Sequence, residues 1–410
     1  MVMEWRECKL GDVLDIKHGF AFLGKYFGGT GTHIVLTPGN FFDAGGFKRT
    51  AGKEKWYEGP IPEDYVLEKG DLIVAMTEQA EGLLGSSALV PQSGLYLHNQ
   101  RLGLIGLKDA NETDKHFLYY LFNTQPVRQQ IRASASGTKV RHTAPTRISE
   151  VKVRMPPPTG QRRIAGILSA YDGLIENSQR RIRILEAMAR ALYREWFVHF
   201  RFPGHENHPR VPSPLGEIPE GWVVKPLGEI AEAVRRNVAK GVLDQAHPYV
   251  GLEHIPRCSL ALDAWEMVGE LRSNKLEFKK GEVLFGKIRP YFHKVSVAPF
   301  DGLCSADTIV IRARASEHHA VVVACVSSDE FVAEASATAN GAKMPRANWS
   351  VLEKYQVVMP NGKVAERFAV LFEDLVAQQQ VLVSRTKNLQ RTRDLLLPRL
   401  LSGQLELEVA

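Results

Sequence analysis

Three short runs in the chain carry residue types at spacings that catalysis uses. Phe27-Gly28-Gly29-Thr30-Gly31 has the F-x-G-x-G spacing of an S-adenosylmethionine-binding loop. No Asn/Asp-Pro-Pro-aromatic segment follows it, so the loop lacks the motif that would perform methyl transfer beside it. Gly52-Lys53 has neither the earlier glycine nor the following Ser/Thr of a phosphate-binding loop. Asp263 with Glu277-Phe278-Lys279 imitates a metal-nuclease triad, but Glu-x-Lys is frequent by chance and here it leads into a strand. The 13 histidines are scattered, and His318-His319 falls in a helical stretch where an exposed surface is expected. Cys8, Cys258, Cys304 and Cys325 lie far outside metal-ligand spacing of one another and are expected to be reduced, mostly buried thiols. The sequence therefore predicts no catalytic group and no metal site.

What remains is binding chemistry. The formal charge is +6 and the pI about 9.0, which permits a polyanionic partner without demanding one. Cations hold phosphates, while amides, hydroxyls and bidentate groups read base edges. Loops that mix the two are DNA-contact candidates. In the first half these are Lys48, Arg49, Lys53 and Lys55, then Gln79, Gln100 and Arg101, then Thr138, Lys139 and Arg141. In the second half they are Arg272 and Lys275, Lys287, Arg289 and Tyr291, Lys294, and finally Lys343 and Arg346. If Arg289 reads guanine, its loss should relax preference at one position of the target. The longest apolar run, Ala320 to Val326, is too short to span a bilayer, so a cytoplasmic chain with no membrane partner is expected.

These loops are positioned by a duplicated plan. Trp5 followed by Leu10-Gly11-Asp12 returns as Trp222 followed by Leu227-Gly228-Glu229. Lys69-Gly70-Asp71 returns as Lys280-Gly281-Glu282, and Ser136-Gly137-Thr138-Lys139 as Asn340-Gly341-Ala342-Lys343. From there the register runs without a gap through Val153-Arg154-Met155-Pro156 and Val357-Val358-Met359-Pro360. The common order of these matches marks a tandem duplication.

The register continues into two heptad-spaced stretches. The first places Ile164, Leu168, Tyr171, Ile175, Ile182, Leu185, Ala189, Leu192 and Trp196 on one seam, interrupted by Ser178. The second places Phe368, Phe372, Leu375, Leu382, Leu389, Leu396 and Leu400 there, with polar Gln379, Thr386 and Arg393 among them. Flanking Arg162, Arg163, Arg180, Arg181, Arg183, Glu176, Glu186 and Glu195 suit a solvated face. The expected architecture is α+β, a pseudo-two-fold tandem repeat. Two globular domains (1–158 and 217–360) alternate with two long coiled-coil helices (159–202 and 361–403) expected to pack on each other, with a linker at 203–216. Pro398 should kink or end the second helix.

At these helices the chain resembles a known family. The runs from Gln161 to Asn177 and from Leu185 to Val198 closely resemble the central helix of type I restriction–modification specificity subunits. Leu395 to Gly403 resembles that family's C-terminal helix end, and the Trp-x4-Leu-Gly-(Asp/Glu) openings resemble its target-recognition domains. The resemblance implies a non-catalytic DNA-specificity subunit in which each globular domain reads one half of a gapped target on double-stranded DNA. It implies that the two helices form an antiparallel coiled coil and dock two methyltransferase subunits, with translocase–nuclease restriction subunits as further partners. S-adenosylmethionine, ATP and Mg would belong to those partners, with no cofactor in this chain. About 32 residues at about 1.5 Å of rise make a rod of roughly 48 Å. With the domains at opposite ends, that separates half-site centres by roughly 10–15 base pairs at about 3.4 Å each.

Overall fold

A computed structural model describes residues 4–50, 52–78, 82–360 and 362–405. They fall into two compact units, one up to Gly173 together with the residues from Arg391 onward, the other Leu174–Gln390.

Each unit contains a matching two-stranded pair. Arg6–Lys9 lies against Lys152–Met155 in the first, and Val223–Pro226 against Gln356–Met359 in the second. Each then builds a four-stranded antiparallel sheet of the same order. In the first unit Leu14–His18, Leu102–Leu107, Leu72–Ala75 and Ser87–Leu89 lie side by side. In the second the series is Ala231–Val234, Thr308–Ala313, Val283–Gly286 and Val295–Val297.

The Lys-Gly-(Asp/Glu) motif is the turn that feeds the central strand of each sheet. Gly70 and Gly281 have φ of 84° and 86°, the left-handed third position of a type II turn, which glycine adopts without a Cβ penalty. The acid closes the turn: the Asp71 carboxylate accepts from Glu68 N–H at 2.9 Å, and that of Glu282 from Lys279 N–H at 2.8 Å.

The second sheets diverge. Both contain a parallel pair, Ile34↔Tyr96 and Tyr249↔Leu303, with an antiparallel strand beside it. The first unit adds Phe27–Gly28 beyond Trp56–Tyr57. The second adds Lys275–Phe278 and Arg236–Val238 on the other side of the parallel pair, giving five strands.

The long helices run over Pro158–Tyr193 and Gly362–Leu401. In the first unit Ile164 and Leu168 share a core with Leu400 and Leu401; in the second Trp196 and Phe197 pack on Phe368 with ring centroids 5.8 and 4.7 Å apart. Start meets end in each unit, so the helices are antiparallel. Ile164, Leu168, Ile175, Phe368, Phe372 and Leu382 are buried, while Tyr171, Ile182, Leu185, Leu192, Leu375, Leu389 and Leu396 are half-buried.

Several expectations are corrected. The central helix closes at Tyr193, and a single wider turn over Arg194–Val198 follows it before the chain leaves the helix. The C-terminal helix passes Pro398 and runs to Leu401, because in a last turn proline forfeits one hydrogen bond and little remains to distort. It is closed by Gly403 at φ 75°, with Gln404 N–H donating back to Arg399 O at 3.0 Å. Part of the expected linker is ordered: Arg210–Ser213 forms a hairpin with Gly216–Pro219. Glu186 is buried rather than solvated, since its carboxylate accepts from Ser259 Oγ and, at 3.4 Å, from Ala261 N–H. His318 and His319 are half-buried, and the His319 ring meets Gly281 O at 3.0 Å. Cys304 and Cys325 are buried, Cys8 half-buried and Cys258 exposed.

Candidate nucleic-acid interface

In the first unit, strand Leu72–Ala75 runs on into Thr77–Glu78, which pairs with Arg141–His142. Met76 N–H donates to Arg101 O at 2.9 Å and Met76 O accepts from Thr143 N–H at 2.9 Å. The 99–101 turn and the 136–142 loop are thereby held on either side of one residue. Ser136 and His142 exchange backbone hydrogen bonds of 2.9 and 2.8 Å, closing a tight loop whose tip is exposed. Gly137 sits at φ 98°, and a Cβ there would lie 2.1 Å from Val140 O. This one geometry collects Gln100, Arg101, Thr138, Lys139 and Arg141, all exposed. Glu78, opposite Arg141, is buried; its carboxylate accepts from Gly82, Leu83 and Leu84 N–H at 3.1, 3.0 and 2.8 Å. Gln79 lies outside the described residues.

Lys48, Arg49, Lys53 and Lys55 are exposed on a separate stretch leading into Trp56–Tyr57. The sheet links them to the first group, because its strand Tyr96–Leu97 leads towards the 99–101 turn. The Lys48 ammonium lies 5.9 Å from the Phe42 ring centroid.

The second unit repeats the loop. Asn340 and Arg346 exchange backbone bonds of 3.1 and 2.8 Å, with Gly341 at φ 110°. Lys287 N–H donates to Asp307 O at 3.0 Å and Lys287 O accepts from Ala347 N–H at 2.9 Å, as Met76 does in the first unit. Arg289 N–H donates to Pro345 O at 2.7 Å. Lys287, Arg289, Lys343 and Arg346 are thus brought together, and Asp307 lies among them, 3.8 Å from both Lys287 Nζ and Arg346 Nε. Lys343, Arg346 and Tyr291 are exposed, while Lys287, Arg289 and Lys294 are half-buried.

Lys294 Nζ donates to Leu252 O; burial, then the neighbouring Arg257 charge, holds its pKa below the ordinary lysine value. Arg272 and Lys275 stand apart, on the turn between Glu266–Leu271 and Lys275–Phe278. Lys275 Nζ lies 4.9 Å from the Tyr249 ring centroid.

Arg257 escaped the sequence reading. It joins this patch because Arg257 pairs with Lys294 by an isolated bridge and its guanidinium lies 3.9 Å from the Phe292 ring centroid. Nothing in an isolated Pro-Arg-Cys run signals that long-range pairing. Of the catalytic look-alikes, Glu277 is taken up by an ion pair with Lys279 at 2.5 Å. Among the described residues no group of three His, Cys, Asp or Glu is placed to hold a metal ion, and no helix is long and apolar enough to cross a membrane.

Comparisons with known proteins follow this geometry. Residues 3–187 match the type I restriction modification DNA specificity domain. The type I restriction enzyme MjaIX specificity subunit of Methanocaldococcus jannaschii is 26% identical over 309 residues, 71% of this chain and 69% of the relative. The EcoDI specificity subunit of Escherichia coli is 24% identical over 294 residues, 66% of this chain and 65% of its own length. In fold, the crystal structure of the S subunit from M. genitalium superposes with a TM-score of 0.63 at 13% identity, covering 100% of this chain and 97% of that one. The first part of the chain thus matches the type I restriction modification DNA specificity domain, and the whole is similar to relatives that are named specificity subunits of type I restriction enzymes.

Proposed function

We propose that this chain reads a two-part target on double-stranded DNA, one part with each unit, and directs methylation and restriction to it. The observation that carries the reading is the doubled loop. Ser136↔His142 and Asn340↔Arg346 are the same backbone device 204 positions apart, each presenting cations on an exposed tip. Lys139, Arg141, Lys343 and Arg346 supply the phosphate-binding term, and the residues that differ between the two loops supply different base preferences. Two unlike readers give an asymmetric, gapped target, with the paired helices setting the gap.

The chemistry falls to partners that carry S-adenosylmethionine, ATP and Mg. The docking surface is on the helices: Ile184 and Met188 are each 52% exposed one turn apart, and Val370 and Val381 are 64% and 67% exposed. Such apolar side chains on the outer face of already paired helices suit partner helices, and two methyltransferase subunits with restriction subunits joining them are the assembly proposed.

The test is base-resolved methylation mapping of the source genome with and without this gene. Loss of one gapped, two-part motif is expected. An unchanged map, together with no DNA binding by the chain assembled with its methyltransferase, would contradict the proposal.

A further inference from the structure

Within the second unit the chain makes an unusual turn at the centre of the basic patch. Pro290–Phe292 is a single 3-10 turn bracketed by two non-glycine residues in the left-handed region, Arg289 at φ 49° and His293 at φ 50°. Left-handed backbone at such residues persists only where the surroundings hold it in place, and it concentrates at functional sites. Here the hold comes from the turn itself and from three other segments of the chain. Arg289 N–H donates to Pro345 O at 2.7 Å; Phe292 N–H donates to Arg289 O and His293 N–H to Pro290 O, each at 2.8 Å. Cys258 N–H donates to His293 O at 2.8 Å, and the buried His293 ring meets Ser327 O at 2.9 Å.

The turn sorts three neighbouring side chains. Phe292 is flanked by two guanidinium groups, Arg257 at 3.9 Å and Arg289 at 5.9 Å from its ring centroid. The Arg289 group also reaches Lys343 O at 3.4 Å, so it is engaged with the protein and half-buried. Tyr291 stands edge-on to Phe292, with centroids 4.9 Å apart and planes at 70°, and is 56% exposed. A large neutral aromatic is thus left exposed on an over-determined turn, edge-on to the ring that two guanidinium groups flank, and presents its own ring and hydroxyl beside a ligand that those cations would hold.

We propose that Tyr291 is a specificity-determining residue that meets a base edge in the second half-site. Phe292 is then a positioning residue that fixes the two arginines, Arg257 contacts phosphate, and Arg289 acts by tying the turn to the 340–346 loop. This rests on the reading of the chain as a DNA-specificity subunit and assigns the base contact within it to a neutral ring rather than to Arg289. At the matching places of the first repeat the sequence has Gln79, Ala80 and Glu81, with no aromatic residue, so the effect belongs to one half-site.

The experiment uses the full chain assembled with its methyltransferase subunit. Competition binding is measured over duplexes in which each base pair of the mapped target is replaced in turn, at several salt concentrations. Tyr291→Ala is expected to flatten preference on the order of tenfold at a single base pair of the second half-site. Because a neutral ring releases no counterions, the slope of log affinity against log salt should stay as in the wild type. Tyr291→Phe, which keeps the ring, should retain most of that preference. Arg257→Ala should weaken every duplex alike and reduce the salt slope by about 0.9. A Tyr291→Ala profile identical to wild type at every position, or uniformly weakened, would overturn the proposal while leaving the wider reading intact. A wild-type complex with no preferred target would overturn both.

Discussion

Strands Leu72–Ala75 and Val283–Gly286 lead into the same backbone frame, yet the two repeats dress it with opposite charges. Where the first unit has buried Glu78, the second has Arg289; where the first has exposed Arg101, the second has Asp307. The long helices show a second contrast. In the first unit the Arg393 guanidinium pairs with Asp172 at 2.6 Å, and Tyr120 OH donates to the same carboxylate at 2.6 Å. Shifted by the 204-residue register, those three positions are Ala189, Val376 and Ala324, all apolar. Backbone geometry thus fixes the turn glycines, the turn-closing acids and the seam. What lies between them is free to diverge, as the proposed reading of two different half-sites requires.

The comparison breaks first at the seam. Phe368 is fully buried against Trp196 and Phe197, so Phe368→Ala should cost the second unit about 3–5 kcal/mol in urea unfolding. Val370→Ala, two residues away and exposed, should cost almost nothing. Similar losses for both would show that the helices do not pack along this stripe.

Acid should separate the units next. His98 is buried just before the 99–101 turn, and burial first of all pushes its pKa down to about 4, with Lys17 and His18 adding to the effect. Its folded pKa lies below the unfolded value of about 6.5, so the stability it contributes is complete above that pH and is lost as pH falls towards 4, by at most about 3 kcal/mol. The second unit has Cys304 before its corresponding turn, a buried thiol held up at about 12 and neutral throughout this range. His98→Cys should therefore lose less stability than wild type between pH 7 and 4.5 in urea titrations. Equal losses would mean that His98 is not what makes the first unit acid-sensitive.

The ion pair gives the smallest effect. Both partners are about one-quarter to one-third exposed, so removing Arg393 alone, leaving Asp172 partly buried, should cost about 1–2 kcal/mol. Asp172→Val with Arg393→Ala copies the apolar arrangement of the other repeat and should cost less than the sum of the single changes, as a double-mutant cycle would read. Additive losses would mean the two side chains act independently.

Much of this was legible in the sequence because it follows from backbone rules. Lys-Gly-(Asp/Glu) at 69–71 and 280–282 announces a turn and a strand, and the heptads announce two long helices packed along a seam. The resemblance at Gln161–Asn177 pointed to the kind of protein that the named relatives are. What escaped depended on pairings between distant residues. Arg257 joins the basic patch through one bridge to Lys294, and Glu186 is buried because a loop 73 residues later brings Ser259 to it. The engagement of Arg289 with Lys343 likewise needs the two loops in place. Composition of a loop shows that cations are present; only the fold shows which of them already have partners.

The measurement that tests the central claim most directly is a methylation map from a chain in which residues 1–155 also replace residues 217–359. If each repeat reads its own half, the methylated motif should keep its gap and carry the first half's sequence in both halves. A motif that retains the original second half would contradict the account.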